Sequence, residues 1–334
     1  MLNSSIWQFL IDALGRNERA ALLLVVASKG SSPGTAGAKM AVTVDGKTLG
    51  TIGGGQVEFE LAGLAQKSLL ASDHPALRLF RRYHDDHHAE SSGHICGGSQ
   101  QVLLWLCRAA DLHILQTLQA QQAARQPVVL SLTEQGVQTS PWTKQVAQPC
   151  FDYRDHSHWC YRETIGLRKQ AYIIGGGHVG LALSQLLSRL GYEVNVFDQR
   201  QEVVTMVDNN YADSKAVVSY ARIDQVIPEG ENSYVFVMTH SHETDQQVIE
   251  LLAGKQYRYL GLMGSRRKID ILKQKLSDRI GPADWENIHA PLGLPIKSRT
   301  PMEIAVSIAA ELIQFDNAEN SVFDAIIRSP SGRK

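Results

Sequence analysis

The sequence predicts an α/β protein with a doubly wound parallel sheet in its C-terminal half and a smaller mixed α/β domain before it. After residue 169, short apolar strands alternate with segments of helical periodicity, a pattern typical of βαβ units and a parallel sheet. Before that point, hairpin signals and separate helices predominate. The length of 334 residues fits roughly two domains, which we place at residues 1–165 and 169–334.

The N-terminal elements follow from apolar spacing. Residues 5–14 carry apolar side chains at helical intervals, and the apolar run at 21–28 has the length of a buried strand. Asp45-Gly46 predicts a hairpin between residues 40–44 and 47–52, because this pair accepts the positive φ of a type I′ turn. The other N-terminal elements that we predict are helices at 57–70 and 111–125 and strands at 102–107, 128–132 and 136–139.

Two segments interrupt these elements. Residues 141–163 show no period, and we interpret them as a loop that leads to a domain connection between about Gln148 and Lys169. Residues 80–98 are polar and rich in histidine, with ligand types that can bind zinc or iron. They contain His84, Asp85, Asp86, His87, His88, His94 and Cys96. Neither a His-x3-His spacing nor a closing Cys-x-x-Cys is present, so we favour a polar loop and assign no metal ligand.

The C-terminal elements alternate between strand and helix. The predicted strands lie at 171–174, 193–197, 216–219, 234–239 and 259–263, and the predicted helices at 181–190, 203–209, 244–252, 267–276 and 304–315. Thr300-Pro-Met-Glu303 opens the last helix, because it combines a capping box with proline at the first helical position.

The composition excludes several classes of protein. Hydrophobic residues make up 43% and charged residues 20%, which excludes disorder as the main state. The net charge of −1 and the lack of a basic run argue against a nucleic-acid partner. The longest apolar run, residues 20–27, is far short of the ~20 residues of a membrane span, and Asp12 interrupts the first apolar stretch, which argues against a signal peptide. The four cysteines form no Cys-x-x-Cys pair, so we expect a reduced, cytoplasmic protein.

The strongest local motif is Gly175-x-Gly177-x-x-Gly180. It lies between an apolar strand and a helix, and the next strand ends at Asp198, 18 residues after Gly180, which is the dinucleotide-binding arrangement. Gly175 permits a tight turn, Gly177 lets a phosphate approach the backbone, and Gly180 permits close helix–strand contact. We expect Asp198 to accept hydrogen bonds from a ribose diol. His178, inside the turn, is either a nucleotide contact or a surface residue.

Two small-residue loops form the second motif. One covers residues 28–38 and is followed by Lys39, and the other is Gly53-Gly54-Gly55 between a strand and a helix. Both can present backbone amides to an oxyanion. We favour an anion or cofactor site, and Lys39 and Glu58 are either site residues or a solvated ion pair. Cys96 precedes Gly97-Gly98, whose amides would favour a thiolate.

A third group of polar residues follows two later strands. Ligands of doubly wound sheets bind at the carboxyl ends of strands, where Thr239-His240 and Ser265-Arg266-Arg267-Lys268 are predicted to lie. Cations are disfavoured at a helix N-terminus, so the basic cluster suggests an anionic partner. A Ser–His–Asp hydrolase is not supported, since no Gly-x-Ser-x-Gly elbow is present.

Several motifs occur in the order of a known family. They are Ser31-Ser-Pro-Gly-x-x-Gly-Ala-Lys-Met40, Ile52-Gly-Gly-Gly, Cys96-Gly-Gly98, Ile174-Gly-Gly-Gly-His-Val-Gly180, Thr239-His240, Tyr259-Leu-Gly-Leu-Met-Gly-Ser-Arg-Arg-Lys268 and His289-Ala-Pro-Leu-Gly-Leu294. Together they resemble the XdhC/CoxI family, accessory factors for xanthine dehydrogenase and related molybdenum hydroxylases. The resemblance spans almost the whole chain and is weakest over residues 111–168.

This resemblance implies a fold, a function and partners. The fold is an XdhC/CoxI-type N-terminal domain followed by a Rossmann-like domain, often as a homodimer. The function is that of a maturation chaperone, which binds molybdenum cofactor, protects it during sulfuration and helps to insert it into the hydroxylase. The implied cofactor is the molybdenum pterin or its cytosine dinucleotide, with NAD as a further candidate. The implied partners are a molybdenum hydroxylase such as xanthine dehydrogenase and, as a further candidate, a cysteine desulfurase.

The cofactor-binding residues that we single out join the motifs of both halves. They are Lys39, Gly53, Gly54, Gly55, Cys96, Gly175, Gly177, His178, Gly180, Asp198, His240, Ser265 and Arg266. The sequence departs from the family at Gln56, where relatives commonly carry cysteine, and at Lys297, where a small residue is usual. An amide does not ligate metal or carry sulfur as a thiolate does, so Cys96 is the only thiol within a motif. An NAD-dependent oxidoreductase with His240 as acid/base, and a binding module that only docks on a hydroxylase, are the alternatives. We assign no catalytic residue.

Overall fold

The structure is a computed structural model that describes residues 5–30, 32, 34–71, 75–83, 99–143 and 149–326. The chain divides into two compact units, Met1–Leu167 and Arg168–Lys334. In the part of the chain that is described, no helix is both long and apolar enough to cross a membrane.

The described residues of the first unit form two antiparallel sheets and three helices. The five-stranded sheet has the order β3-β2-β1-β5-β4, and the four-stranded sheet has the order β7-β6-β9-β8. The strands are β1 Ala20–Lys29, β2 Lys39–Thr43, β3 Thr48–Gly50, β4 Leu77–Tyr83, β5 Ser99–Cys107, β6 Val128–Thr133, β7 Gly136–Pro141, β8 Cys150–Asp155 and β9 His158–Ile165. The helices are α1 Ile6–Gly15, α2 Gly55–Leu70 and α3 Leu112–Ala124, with a 3-10 turn at Ala109–Asp111.

Strand β1 is apolar from residue 20 to residue 27, where both faces of the strand are buried. Successive strand residues point to opposite faces. Leu22 and Leu24 lie in a core with α1, α3 and the four-stranded sheet, whereas Leu23 and Val25 lie in a core with α2. The five-stranded sheet is therefore the central layer of this unit.

The interpretation of residues 141–163 as a loop is wrong. Most of the segment is the hairpin β8–β9, which pairs through β9 with β6. Its apolar side chains alternate with polar ones, so that Phe151, Tyr153, Trp159 and Tyr161 join the core while their neighbours face outward. The turn between the strands, His156-Ser157, has neither glycine nor asparagine to mark it.

The start of the histidine-rich segment also differs from the sequence prediction. Residues 77–83 form β4, an edge strand paired with β5, where we expected loop from residue 80. The histidines, the two aspartates and Cys96 lie outside the described residues.

The second unit is a parallel sheet with helices on both faces, as the sequence predicts, and the sheet has six strands where the sequence predicts five. The strands are β10 Gln170–Ile174, β11 Glu193–Asp198, β12 Ser214–Val217, β13 Gly230–Val237, β14 Tyr257–Leu262 and β15 Ile288–His289. The helices are α4 His178–Arg189, α5 Val204–Val207, α6 His242–Leu252, α7 Arg266–Lys275, α8 Pro282–Glu286 and α9 Pro301–Ile326, with a 3-10 turn at Tyr220–Gln225. One face of the sheet packs against α6 and α7, and the other against α4 and α9.

The strand order is β12-β11-β10-β13-β14-β15, which is the order of a Rossmann fold. It reverses direction between β10 and β13, and ligands of such sheets bind in the crevice at this reversal. Strand β12 begins two residues before the predicted start of that strand, and α8 and the two-residue β15 are additional to the prediction.

Helix α9 is held by hydrogen bonds at its N-terminus and near its middle. The predicted capping box is confirmed: Glu303 accepts hydrogen bonds from the backbone N–H groups of Arg299 and Thr300, and Thr300 Oγ1 accepts one from Glu303 N–H. Further along, the Asp316 carboxylate accepts hydrogen bonds from Tyr234 Oη at 2.7 Å and Tyr192 Oη at 3.4 Å.

Candidate functional site

The glycine turn after β10 is shaped by close packing at two positions and by openness at a third. Gly175 has φ +126°, and an added Cβ would lie 2.1 Å from the backbone oxygen of Met238. A Cβ on Gly180 would lie 2.3 Å from the backbone oxygen of Gly175. At Gly177, by contrast, a Cβ would meet nothing within 4 Å, and this residue begins α4 without a side-chain cap. The amides at the start of α4 therefore face open space that an anion can enter.

Asp198, at the end of β11, accepts hydrogen bonds from this turn and from an arginine side chain. Its side chain is 0% exposed, and Oδ2 accepts hydrogen bonds from Gly176 N–H at 2.9 Å and from Arg200 Nη2 at 2.8 Å. Oδ1 accepts from Arg200 Nε and Arg200 N–H, both at 3.0 Å. Burial alone would raise the pKa of Asp198, but the Arg200 and Gly176 hydrogen bonds outweigh it and lower the pKa. Arg200 was not singled out by sequence reasoning, although it follows Asp198 by two residues.

A second buried carboxylate joins the loops after β13 and β14. Asp245 Oδ1 accepts hydrogen bonds from Thr239 N–H at 2.9 Å and Thr239 Oγ1 at 2.6 Å, and Oδ2 accepts one from Lys268 Nζ. Lys268 Nζ also donates to the backbone oxygen of Met263 at 3.0 Å. The Lys268 charge is thus balanced by Asp245, so it does not provide the free cation that the basic cluster suggested.

The other predicted residues of this half lie at the same edge of the sheet. His178 is the first residue of α4 and His240 follows β13, and both side chains are exposed. Ser265 caps α7, since its Oγ accepts a hydrogen bond from Lys268 N–H at 3.3 Å. Arg266 is exposed at the first position of that helix. These residues follow β10, β13 and β14, which are adjacent strands, so the structure gathers them along one edge.

The glycine loop of the N-terminal unit has its own carboxylate. Gly53, Gly54 and Gly55 have φ of +125°, +76° and +70°. Glu58 Oε2 accepts hydrogen bonds from Thr51 Oγ1 at 2.6 Å, Ile52 N–H at 2.9 Å and Gly54 N–H at 3.0 Å. Burial would raise the pKa of Glu58, but these three hydrogen bonds lower it below its ordinary value. The loop therefore already holds an oxyanion, which belongs to its own helix.

Two observations describe the surroundings of this loop. A Cβ on Gly54 would meet nothing within 4 Å, and Gly54 begins α2 without a side-chain cap. A Cβ on Gly34 would lie 2.1 Å from the backbone oxygen of Ile52, so the two small-residue loops are in contact. The outer side of Gly54 remains open to a second anion.

Lys39 pairs with Glu163, and the idea of a solvated pair between Lys39 and Glu58 is wrong. Lys39 Nζ donates to Glu163 Oε1 at 2.7 Å and to the backbone oxygen of Gly37 at 2.8 Å. The two charged side chains are only 13% and 12% exposed. Tyr161 Oη donates to the other carboxylate oxygen of Glu163 at 3.0 Å. Glu163 lies on β9, in the segment interpreted as a loop, so the sequence offered no partner for Lys39.

No metal centre is found among the described residues, in which no group of three or more His, Cys, Asp or Glu side chains is placed to hold an ion. Cys96, the thiol that the sequence analysis singles out, lies outside the described residues, so its role stays a prediction.

The second unit and its glycine turn define a Rossmann domain joined to an α/β unit of the same length, and the family models agree with that class. Residues 171–312 match the XdhC Rossmann domain, and residues 13–83 match the XdhC and CoxI family. The chain belongs to the XdhC and CoxI family.

Individual relatives extend the likeness. The chain is 25% identical to the uncharacterized protein YqeB of Escherichia coli over 89% of its own length and 43% of YqeB. It is 29% identical to a probable xanthine dehydrogenase subunit from Bacillus subtilis, over 46% of this chain and 44% of that one. It is 24% identical to the molybdenum cofactor insertion chaperone PaoD of Escherichia coli, over 92% of this chain and 87% of PaoD. The chain thus spans less than half the length of the first two relatives.

A solved structure shares the fold. A xanthine dehydrogenase from Bacillus halodurans superposes with a TM-score of 0.68 at 22% identity, over 93% of this chain and 96% of that one. At this identity the likeness concerns the fold alone.

Proposed function

We propose that this protein is an accessory protein that binds molybdenum cofactor and delivers it to a molybdenum hydroxylase of the xanthine dehydrogenase type. The observation that carries the proposal is the match to a molybdenum cofactor insertion chaperone along 92% of the chain. That match also extends over 87% of the chaperone's own length.

The N-terminal glycine loop is the proposed site for the anionic end of the cofactor. The three hydrogen bonds that this loop donates to the Glu58 carboxylate support the proposal, because they are the kind of contacts that an oxyanion needs. A phosphate can approach from the open side of Gly54, where the first amides of α2 and the positive end of its dipole favour negative charge. Lys39 is proposed to support this site from a distance, because its ammonium is already held by Glu163.

The Rossmann crevice is the proposed site for a nucleotide. It accepts either the cytosine nucleotide of the dinucleotide form of the cofactor or a separate dinucleotide such as NAD. Gly177, His178 and the first amides of α4 lie where a pyrophosphate would bind, and His240 and Arg266 lie along the same edge.

The partners follow from the same proposal. The chain is expected to dock on a hydroxylase such as xanthine dehydrogenase, to act as a homodimer in the cytoplasm, and to receive sulfur for its cargo from a cysteine desulfurase. Cys96 is the proposed sulfur or metal contact.

Cofactor retention tests the proposal. The protein is incubated with molybdenum cofactor, passed through a desalting column and assayed for bound pterin by fluorescence. We expect wild-type protein to retain the cofactor and Gly54→Val to lose most of it, because a branched side chain would fill the open side of the loop. Gly136→Val is the matched control, since Gly136 also has positive φ and open surroundings but is the first residue of β7.

Two thiol variants refine the test. Cys96→Ser should abolish retention if a thiolate contacts the cofactor, and Gln56→Cys should strengthen it. Wild-type protein that retains no cofactor contradicts the proposal. Retention of NAD together with hydride transfer, but not of molybdenum cofactor, would favour the alternative oxidoreductase function.

A further inference from the structure

The ribose end of the Rossmann crevice is occupied by an ion pair rather than by a free carboxylate. In a dinucleotide-binding Rossmann fold, the acid at the end of the second strand accepts hydrogen bonds from the two ribose hydroxyls. Asp198 has this position on β11, directly beside the glycine turn. Both of its oxygens, however, already accept two hydrogen bonds each.

Asp198 is therefore unavailable to a ribose diol. A carboxylate offers about four acceptor directions, and all four are used by Gly176 and Arg200. The side chain is 0% exposed, so a ligand in the crevice does not reach it. A diol placed there would need to displace a bidentate guanidinium, which is among the stronger hydrogen-bonded pairs in proteins.

The exposed side chain beside the glycine turn is that of Arg200, and the Asp198 carboxylate lies buried behind it. Its guanidinium uses Nε and Nη2 to bind Asp198, which leaves Nη1 and the planar face directed away from the carboxylate. The side chain is 43% exposed, in contrast to the buried acid behind it. The carboxylate thus fixes the orientation of the guanidinium, and the exposed part of the pair is cationic.

We propose that Arg200 makes the Rossmann crevice selective for a nucleotide whose ribose carries a phosphate monoester, with Asp198 as the residue that positions Arg200. A phosphate on the ribose would receive charge-assisted hydrogen bonds from the free edge of the guanidinium, whereas an unmodified diol finds no free acceptor. The inference rests on the proposal that this crevice binds a nucleotide, and within that proposal it favours a separate phosphorylated dinucleotide over the unphosphorylated ribose of a cytosine dinucleotide.

Two ligands share this chemistry, and simple probes separate them. A 2′-phosphate occurs in NADP and a 3′-phosphate in coenzyme A. Binding of adenosine 2′,5′-bisphosphate, adenosine 3′,5′-bisphosphate, adenosine 5′-monophosphate and cytidine 5′-diphosphate is measured by isothermal titration calorimetry on the full chain. NADPH and NADH are compared by the same method.

We expect one of the two bisphosphates to bind at least about tenfold tighter than adenosine 5′-monophosphate, since hydrogen bonds between charged groups carry that much free energy. If the 2′-phosphate is recognised, NADPH should exceed NADH by a similar factor. Arg200→Ala should remove the preference by weakening the binding of the bisphosphate. The affinity for the monophosphate should stay equal or increase, because the Asp198 carboxylate becomes free to accept hydrogen bonds. Arg189→Ala, an exposed arginine in the last turn of α4, is the matched control and should keep the preference.

Three results would overturn the inference: equal affinity for phosphorylated and unphosphorylated ribose, a preference that survives Arg200→Ala, and the absence of binding by any probe. Asp198→Asn separates a positioning role from a merely structural one. Circular dichroism should show a folded protein, and the bisphosphate preference should fall while binding of the monophosphate persists. Retention of molybdenum cofactor is measured on the same samples. Retention without nucleotide binding contradicts only this inference, and nucleotide selectivity without retention contradicts only the proposed function.

Discussion

The two glycine-rich turns share a local plan and differ in their electrostatic surroundings. Gly54 begins α2 and Gly177 begins α4, each without a side-chain cap and each with open space where a Cβ would lie. In each turn a carboxylate accepts a backbone N–H group, from Gly54 to Glu58 and from Gly176 to Asp198. A carboxylate of the protein itself thus stabilises the backbone of each turn.

The carboxylates come from different places, and this is what distinguishes the turns. Glu58 lies on the helix that its own loop begins, and its partners are a hydroxyl and two amides. Asp198 comes from the neighbouring strand and adds Arg200 to the arrangement. An anion at the first turn therefore meets backbone dipoles, whereas an anion at the second also meets a formal positive charge. A glycine motif by itself does not specify whether a charged side chain will lie beside the turn.

The largest expected effect separates the glycines within one turn. Gly175→Ala should lower the free energy of unfolding by at least about 3 kcal/mol, because the new Cβ would overlap the Met238 backbone oxygen in a backbone with φ +126°. Gly177→Ala should cost less than about 1 kcal/mol, since its surroundings are open and its φ is −75°. Urea denaturation measures both. Equal losses would contradict the packing role assigned to Gly175.

Neutralising the Asp198 or the Glu58 carboxylate should destabilise the fold less than Gly175→Ala does, and the two losses should differ. Asp198→Asn should lower the free energy of unfolding by about 2–3 kcal/mol, because it breaks a buried pair and leaves Arg200 without its carboxylate. Glu58→Gln should cost about 1 kcal/mol, because neutral hydrogen bonds to the loop can remain. Urea unfolding of the two single variants and of the double variant checks the ranking. A larger loss for Glu58→Gln would reverse the comparison.

The smallest expected effect is on how the free energy of unfolding depends on pH in the acid range. The pKa of Glu58 and that of Asp198 are both lower in the folded protein than the ordinary values of 4.5 and 3.8. Both carboxylates therefore stabilise the fold above those values, and this contribution is lost as the pH falls through the folded pKa. The free energy of unfolding, measured from neutral pH into the acid range, should fall less steeply in each variant than in wild-type protein. Parallel curves for all three proteins would argue against the bracing roles.

The sequence predicts the second unit better than the first, for physical reasons. Parallel strands buried on both faces are unbroken apolar runs, and the helices between them begin and end at recognisable caps. Five of the six parallel strands were predicted, and the sixth, the two-residue β15, is too short to give a pattern. In the first unit, the hairpin β8–β9 was missed because its turn has no marker residue, although Phe151, Tyr153, Trp159 and Tyr161 alternate with polar neighbours.

The candidate site was predictable at its glycines and not at its charges. Glycine positions follow from local backbone geometry, which the motif encodes directly. The partner of a charge depends on which strands are neighbours. Lys39 pairs with Glu163, 124 positions away, and Lys268 with Asp245, 23 positions away. Arg200 is close to Asp198 in sequence, but the burial that makes their contact decisive comes from the tertiary fold.

The position of Asp316 bears on where the chain can be shortened. The Rossmann family match ends at residue 312, four positions before this aspartate. Truncation there would remove the acceptor of the Tyr234 hydroxyl, which lies in the core between the sheet and α9. A buried donor left without a partner costs about 1–3 kcal/mol. We therefore expect a Rossmann fragment that ends at residue 312 to be less stable than one in which α9 continues past Asp316.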